Sequence, residues 1–406
     1  MNDKSRLEDL AVFGETPAFN EKVYVGRPYT GNREHFLRRV NDLLDRGWLT
    51  NNGPYVQEFE QKIAEMLSVK HCIAICNGTT ALEIIIRALD LKGEVIVPSF
   101  TFIATAHALK WEEITPVFCD IDPKTFTIDA KKVEALITSN TTGIIGVHLW
   151  SRPCDVDALT KIARRRNLKL IFDAAHSFAC SYKGEKIGNF GEAEIFSFHA
   201  TKFFNTFEGG AIVTNNDDLA AKIRLMKNFG FSGYDNVVYL GTNGKMSEIN
   251  AAVGLSNLES LSEFIETNRR NYHSYSERLA GIPGIELIPY DENEKCNYHY
   301  IVLAVNEKIT QISRDLILKV LAAENVLTRR YFYPGCHRME PYRSDPFYQE
   351  ISLPITEKRC EEVLSLPSGT LVNEDNIRRI CTLIETIVFN GSEIVRRLNS
   401  LTNKGF

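Results

Sequence analysis

The segment IFSFHATKFFNTFEGGAIVTN, residues 195–215, contains one lysine, Lys202, in a loop between two short apolar runs. Ser197 lies five residues before it, at the end of the first run. Burial disfavours the charged form of a lysine and lowers its pKa, so a neutral amine becomes available as a nucleophile or base. Such an amine can bind a carbonyl cofactor as a Schiff base. Alternatively, Lys202 is a surface-loop lysine whose ammonium group extends into water.

A second group of polar residues, Asn77-Gly78-Thr79-Thr80, follows a buried apolar run and opens a helical pattern. Glycine permits close backbone approach, and the start of a helix offers unpaired N–H groups beside two hydroxyls. These features predict an anion site, most simply for phosphate, to which Ser197 can add a further donor. The alternative is ordinary capping of the helix by threonine.

Two further strand ends carry residues suited to a flat, charged ring. Asp173 ends the apolar run LKLIFD and, if buried, needs a cation or a hydrogen-bond donor as its partner. His176 follows it and can donate to a ring oxygen, although an isolated histidine is also a common structural residue. Phe102 follows the run EVIVP and can cover a ring face by offset stacking, with a place in the core as the competing interpretation.

Taken together, these positions match the needs of pyridoxal 5'-phosphate. In chain order they offer an anion loop, an aromatic cover, an aspartate for the pyridine nitrogen, and then a serine and a lysine. An aspartate that keeps this nitrogen protonated lets the ring accept the electron pair left when a Cα–H bond breaks. In an open α/β sheet such residues meet beyond the carboxyl ends of the strands.

The elements that must position these residues show a repeated strand–helix pattern. Unbroken apolar runs alternate with helical patterns from about residue 71 to 215, which predicts an α/β domain with a mainly parallel sheet covered on both faces. Helices are predicted over 35–48, 55–67, 129–138, 155–167 and, as one long helix, about 245–265. We expect an N-terminal segment, residues 1–34, packed on a smaller C-terminal α+β domain, residues 263–406, with the large domain at 35–262.

Composition narrows the class of protein. The chain has 406 residues, a formal net charge of −5 and no long lysine/arginine block, which argues against a nucleic-acid-binding protein. The nine cysteines are an odd number without a CxxC pair, so we expect free thiols and no metal site. No apolar run approaches the ~20 residues needed to span a bilayer, and the first ten residues do not resemble a signal peptide. We therefore expect a cytoplasmic protein without a membrane partner.

Five segments of the sequence resemble a known family. NGTTALE, FTFIATA, FDAAHSF, FSFHATKFFNTFEGGAIVTN and NGKMSEINAAVGL, in this order, are similar to motifs of the DegT/DnrJ/EryC1/StrS family. These are pyridoxal-phosphate-dependent nucleotide-sugar aminotransferases. The resemblance implies fold type I, the aspartate aminotransferase fold, with a large, mainly parallel sheet domain and a smaller C-terminal α+β domain.

The resemblance also implies roles for individual residues. Lys202 would bind the cofactor as a Schiff base and shuttle the proton in the reaction. The cofactor contacts implied are the following: Asp173 to the pyridine nitrogen, His176 to the ring hydroxyl side, Phe102 over the ring, and Gly78, Thr79 and Ser197 around the phosphate. The family implies a homodimer with shared sites, in which Asn243 and Lys245 reach the partner's phosphate.

The segment RRYFYPGCHRMEPY, residues 329–342, resembles the subgroup that acts at C4 of dTDP-4-keto-6-deoxyglucose. This likeness implies amino transfer from L-glutamate to give a 4-amino-4,6-dideoxy sugar. The family also implies a place in deoxysugar biosynthesis, with O-antigen lipopolysaccharide as the destination of the sugar. Arg330, Tyr331, Tyr333 and His337 supply donors and aromatic surface for sugar and diphosphate groups. Each of them can instead belong to a structural turn.

Three other functions remain open at this stage. One branch of the family replaces the lysine with histidine and performs C3 dehydration, but here Lys202 is present and His199 lies three positions before it. A C3 aminotransferase acting on a 3-keto sugar is the closer alternative. A non-catalytic sensor on the same scaffold is the third, although a sensor does not need a complete set of proton-transfer residues.

Overall fold

A computed structural model describes residues 4–402 of the chain. Residues 1–3 and 403–406, the ends of the predicted N-terminal segment and of the predicted small domain, lie outside the described residues. The described chain forms fourteen strands and fourteen α-helices, joined by short 3₁₀ turns. Two sheets, each with helices packed against it, divide the core between them.

The larger sheet has seven strands in the order β2-β10-β9-β6-β5-β3-β4. Every neighbouring pair is parallel except those of β10, which runs antiparallel to both β2 and β9. These strands are almost entirely buried, as expected for a sheet with helices on both faces. Its strands are β2 (His71–Ile75), β3 (Glu94–Pro98), β4 (Thr115–Cys119), β5 (Thr141–Val147), β6 (Lys169–Asp173), β9 (Ala193–Ser197) and β10 (Gly210–Thr214).

Eight helices accompany this sheet, and polar caps set where several of them begin. The helices are α1 (Arg33–Arg46), α2 (Pro54–Leu67), α3 (Gly78–Ala88), α4 (Ala104–Trp111), α5 (Ala130–Val133), α6 (Val156–Arg166), α7 (Asp217–Met226) and α8 (Glu248–Leu258). Asn77 caps α3, the helix that follows β2, and Ser247 caps α8; each side chain accepts a backbone N–H three residues further on.

The smaller sheet is antiparallel, in the order β11-β12-β14, and packs under long amphipathic helices. Two short pairs complete the strands: β1 with β13, which is parallel, and the β7-β8 hairpin. The remaining strands are β1 (Val23–Tyr24), β7 (Ser181–Tyr182), β8 (Glu185–Lys186), β11 (Ile285–Leu287), β12 (Ile301–Val305), β13 (Val326–Leu327) and β14 (Val363–Leu366). The remaining helices are α9 (Leu261–Leu279), α10 (Glu307–Thr310), α11 (Arg314–Ala323), α12 (Pro354–Glu362), α13 (Glu374–Phe389) and α14 (Gly391–Thr402).

Six 3₁₀ turns lie near the start of the described chain and in its connections: Leu7–Asp9, Ala11–Phe13, Glu134–Leu136, Cys336–Arg338, Tyr342–Ser344 and Pro346–Tyr348.

Two helix predictions need correction. The helix expected over 129–138 is a four-residue helix, α5, followed by a 3₁₀ turn. The long helix expected over 245–265 is two helices, α8 and α9, separated at Glu259–Ser260. Nothing in the sequence marks this break, since neither glycine nor proline occurs there.

The N-terminal segment lies on the smaller sheet's core. Leu10 and Phe19 are buried in that core, and β1 pairs with β13 through Val23 and Val326. The buried carboxylate of Glu324 accepts backbone N–H groups of this segment at 2.6 Å. Within residues 4–402, no helix combines the length and the apolarity needed to cross a bilayer.

Candidate active site

Lys202 lies in the loop between β9 and β10 and is half-buried. Its Nζ is 3.4 Å from the hydroxyl oxygen of Tyr300. Burial lowers the pKa of this amine to about 8, while the carboxylate of Asp173 raises it and offsets part of the burial effect. Lys202 is therefore held among other side chains, and about a tenth of the amine is neutral at pH 7, far more than for an ordinary lysine.

Asp173 is the last residue of β6, and its carboxylate is buried. One oxygen accepts the backbone N–H of Ala175 at 3.1 Å, and the other accepts the hydroxyl of Thr105 at 2.8 Å. Thr105 is 3.1 Å from a second hydroxyl, that of Thr101. Burial raises the pKa of Asp173, whereas these donors and the Lys202 amine lower it. A buried carboxylate with two fixed donors can accept a cationic ring N–H as its remaining partner.

The predicted anion loop forms the start of α3. Asn77 caps this helix by accepting the N–H of Thr80 at 2.8 Å, so the cap is the asparagine and not a threonine. Gly78 lies against Ser197, because a Cβ placed on Gly78 would be 3.0 Å from the Ser197 Cβ. Thr79 is exposed beside them. The start of α3 thus combines free backbone N–H groups and Gly78 with the hydroxyls of Thr79 and Ser197. This arrangement suits a phosphate group.

His176 follows Asp173 and belongs to a group of aromatic rings. Its ring centre is 4.5 Å from that of Tyr300 and 6.0 Å from that of Phe332, on which it stacks. Burial lowers the pKa of His176 well below its usual value, so the imidazole is neutral. Phe102 lies in the loop after β3 with its side chain 58% exposed, which excludes the competing place in the core.

Asn243 and Lys245 lie beside the anion loop within their own chain. The carbonyl of Gly244, between them, accepts the backbone N–H of Cys76 at 2.8 Å. Lys245 donates to the Asn228 side chain at 3.0 Å, and Asn243 is exposed. Within one chain this segment therefore lies against the end of β2, and its reach to a partner's phosphate stays a prediction.

The sugar-binding residues predicted in 329–342 divide into two places. Tyr331 lies beside the group formed by Lys202, Tyr300 and His176, which we call the lysine group. Its ring centre is 6.3 Å from that of Tyr300. Arg330 and Tyr333 lie further out: the guanidinium is 4.5 Å from the Tyr333 ring centre and 3.3 Å from the carboxylate of Asp315. Both are exposed.

The prediction that His337 contacts the sugar is wrong for this structure. Its side chain is fully buried and both ring nitrogens are occupied. The Glu357 carboxylate only accepts, and a neutral ring carries one N–H, so Nδ1 accepts the proton of the Ser99 hydroxyl at 2.7 Å, while that hydroxyl oxygen accepts the backbone N–H of His337 at 3.1 Å. Nε2 then carries the ring proton and donates to Glu357 at 3.0 Å. His337 joins segment 329–342 to the end of β3 and does not face a ligand.

Sequence reasoning missed two residues that the structure brings to this site. One is Thr105, whose hydroxyl donates to the Asp173 carboxylate and which no sequence pattern singles out. Tyr300 precedes a strand of the smaller sheet, outside the strand ends of the large domain. Its signal was the run of hydrogen-bonding residues Asn297, Tyr298, His299 and Tyr300 directly before the apolar run of β12.

Comparison with known proteins agrees with the family that the motifs resemble. The profile of the DegT/DnrJ/EryC1/StrS aminotransferase family matches residues 31–385. The dTDP-4-amino-4,6-dideoxy-D-glucose transaminase of Escherichia coli is 37% identical over 369 residues, which cover 90% of this chain and 99% of the relative. The GDP-perosamine synthase of Caulobacter vibrioides is 35% identical, with 86% of this chain and 94% of the relative covered.

Two solved structures are similar over nearly their whole length. A structure of DesI in the presence of its TDP-sugar product has a TM-score of 0.93 and 46% identity, covering 97% of this chain and 100% of that one. A structure of S. venezuelae DesV in complex with a ketimine intermediate has a TM-score of 0.81 and 30% identity, covering 88% of this chain and 95% of that one.

The residues present fit pyridoxal phosphate at each of its polar ends. Gly78 and Ser197 leave a cradle beside a helix start, Asp173 offers a buried carboxylate, and Lys202 offers an amine of lowered pKa. The predicted fold, enzyme class and cofactor are confirmed. The chain belongs to the DegT/DnrJ/EryC1/StrS aminotransferase family, whose members depend on pyridoxal 5'-phosphate.

Proposed function

We propose that this aminotransferase moves the amino group of L-glutamate to the C4 ketone of a nucleotide-linked 4-keto-6-deoxyhexose. The favoured substrate is dTDP-4-keto-6-deoxy-D-glucose, and the product is its 4-amino-4,6-dideoxy sugar. The proposal depends above all on Lys202, a half-buried amine of lowered pKa near the Asp173 carboxylate. The names of the Escherichia coli relative and of the DesI structure favour a dTDP-linked sugar.

The residues of the chain divide the work in this proposal. Bound pyridoxal phosphate supplies an electron-accepting ring, which takes up the electron pair when a bond at the substrate's amino-bearing carbon breaks. Asp173 keeps the ring nitrogen protonated, and Lys202 takes a proton from the amino donor and later returns one to the sugar carbon. His176 orients the ring hydroxyl, and Phe102 covers the ring face. Gly78, Thr79 and Ser197 hold the phosphate.

The sugar nucleotide is proposed to enter past Tyr331. This tyrosine lies on the Tyr300 side of the lysine group, so it can contact the sugar near the reacting carbon. Arg330 and Tyr333 are further out and exposed, which suits the diphosphate. The guanidinium would exchange part of its contact with Asp315 for phosphate oxygens, which favour bidentate arginine.

A panel of keto sugars tests this function. The purified enzyme is incubated with glutamate and with dTDP-, UDP- and GDP-linked keto sugars, and the product is analysed by mass and by NMR. We expect amination at C4, with the dTDP-linked substrate turned over fastest. Amination at C3 would support the alternative aminotransferase, and no conversion of any sugar would support a sensor.

We also propose that the enzyme works as a homodimer with shared sites. Segment 229–240, which leads to Asn243 and Lys245, exposes large apolar side chains, including Tyr234 at 100% and Leu240 at 70%. Exposed apolar surface of this kind is typical of an interface. Mixing Lys202→Ala protein with protein carrying Asn243→Ala and Lys245→Ala tests the sharing. Shared sites predict that activity returns in the mixture, because one site of each mixed dimer is then intact.

We further propose that the enzyme is cytoplasmic and that its amino sugar enters a surface polysaccharide such as O-antigen lipopolysaccharide. A relative from Bacillus subtilis, 32% identical, is named as a spore coat polysaccharide biosynthesis protein. Deleting the gene and analysing the sugars of the surface polysaccharide tests this proposal. Loss of the 4-amino-4,6-dideoxy sugar is expected, and an unchanged sugar composition would contradict it.

A further inference from the structure

Two consecutive residues directly before β12 of the smaller sheet contact the loop that carries Lys202. Tyr300 directly precedes β12, and its hydroxyl is 3.4 Å from the Lys202 amine. His299 places Nε2 3.2 Å from the carbonyl oxygen of Thr201, the residue before the lysine. The first contact reaches the end of the lysine side chain, and the second reaches the backbone of the residue before it.

The state of His299 follows from its surroundings. Burial lowers its pKa to about 3, so the ring is neutral at physiological pH. Since a carbonyl oxygen only accepts, Nε2 carries the ring proton and donates to Thr201. The second nitrogen, Nδ1, is buried without a hydrogen-bond partner. Such an arrangement costs free energy, which indicates that the contact with the lysine loop offsets that cost.

Tyr300 is fixed independently of Lys202. Its backbone N–H and carbonyl both bind the Tyr290 hydroxyl, at 3.1 and 2.8 Å. Its ring lies 4.5 Å from His176 and 4.6 Å from His299, measured between ring centres. The phenol therefore has a defined position before the lysine is considered. Burial raises its pKa well above the usual value, so the hydroxyl is neutral throughout the range in which Lys202 titrates.

We infer that Tyr300 is an additional active-site residue that binds and orients the amine of Lys202 whenever this amine is free, with His299 holding the lysine loop. The inference rests on the proposed role of Lys202 as the reacting amine. A lysine side chain has many rotamers, and a proton-transfer group must be held near its target. The smaller sheet thus contributes a side chain to chemistry that otherwise depends on the large domain.

The contact makes a specific prediction for the acidity of Lys202. The titratable groups facing this amine are Asp173 and His176 from the end of β6, and His299 and Tyr300 from the smaller sheet. The phenol oxygen accepts a hydrogen bond from the ammonium form, which favours that form. Removing the hydroxyl leaves a half-buried ammonium with one hydrogen-bond acceptor fewer, so the pKa of Lys202 falls further below its ordinary value.

The test measures this acidity directly and does not need a sugar substrate. The full-length protein, freed of cofactor, is treated with acetic anhydride at a series of pH values, and acetylation of Lys202 is followed by peptide mass spectrometry. Tyr300→Phe is compared with wild type and with Tyr272→Phe. Tyr272 is also buried, but its hydroxyl accepts the backbone N–H of Tyr290 instead of contacting the lysine. Tyr300→Met repeats the test if the phenylalanine variant does not fold.

We expect the labelling midpoint of Lys202 to fall by about half a pH unit or more in Tyr300→Phe and to stay in place in Tyr272→Phe. An unchanged or raised midpoint in the Tyr300 variants would overturn the inference. Equal shifts in the Tyr300 and Tyr272 variants would overturn it as well, because they would indicate a general packing effect. If the wild-type enzyme aminates no sugar while the midpoint still shifts, the proposed function fails and the contact stands.

Discussion

Gly210→Ala should damage the proposed phosphate site through the backbone. Gly210 is the first residue of β10 and pairs with Ile75 on one side and Ser197 on the other. A Cβ at this position would lie 2.8 Å from three backbone atoms: the carbonyl carbon of Asn77, the nitrogen of Gly78 and the carbonyl oxygen of Phe196. Carbon atoms in good contact are roughly 3.5–4 Å apart, so the anion loop and β10 must separate by several tenths of an ångström.

The magnitude follows from the cost of overpacking. Forcing one extra carbon into a closely packed region typically costs about 1–3 kcal/mol. The crowded atoms include the start of α3, so the displacement falls on the backbone that would bind phosphate. If this cost reduces the free energy of cofactor binding by the same amount, the dissociation constant for pyridoxal phosphate rises about 5- to 150-fold.

The assay is titration of cofactor into cofactor-free protein, together with urea unfolding of the same samples. Gly281→Ala is the control: Gly281 has φ of +82° and nothing within 4 Å of a Cβ, so alanine there strains the backbone far from the loop. The control should lose stability and keep its cofactor affinity. Wild-type affinity in Gly210→Ala would refute the reasoning, since it would mean that the loop's position is not critical for binding.

Three further predictions concern titratable groups of the site. Lys202→Ala should lose the visible absorption of lysine-linked cofactor and all amino transfer, whereas the surface change Lys62→Ala should lose neither; a persistent absorption band would contradict the assignment. Asp173→Asn should bind cofactor but lower kcat about 100-fold or more, because an amide does not stabilise a protonated ring nitrogen; near-normal kcat would exclude this role. Folding stability should fall below pH 6.5, because His299, with a pKa of about 3 when folded, stays neutral while the unfolded chain binds a proton. The loss attributable to His299 is about 2 kcal/mol at pH 5, and urea unfolding of His299→Gln should show a correspondingly flatter pH dependence.

The cofactor-site residues of the large domain could be predicted because the ends of strands are marked in the sequence. An apolar run that stops at Asp173 or Ser197 marks the carboxyl edge of a parallel sheet, and residues at that edge meet whatever their separation along the chain. The antiparallel course of β10 was not visible, since a fully buried strand has the same composition in either direction.

Contacts between the two domains could not be predicted from sequence patterns. Tyr300 approaches Lys202 only through the packing of the smaller sheet, 98 residues further along the chain. The sugar contact predicted for His337 is wrong for a related reason. A motif rich in hydrogen-bond donors does not show whether its side chains face a ligand or other residues of the protein. In the structure its partners, Ser99 and Glu357, come from distant parts of the chain.

The most direct test of the central claim follows the nitrogen atom itself. The enzyme is supplied with glutamate labelled with ¹⁵N at the amino group and with dTDP-4-keto-6-deoxy-D-glucose, and the sugar product is examined by NMR. The account predicts ¹⁵N bonded to C4 with wild-type protein and no labelled sugar with Lys202→Ala. Label at another carbon, or labelled sugar formed without Lys202, would contradict it.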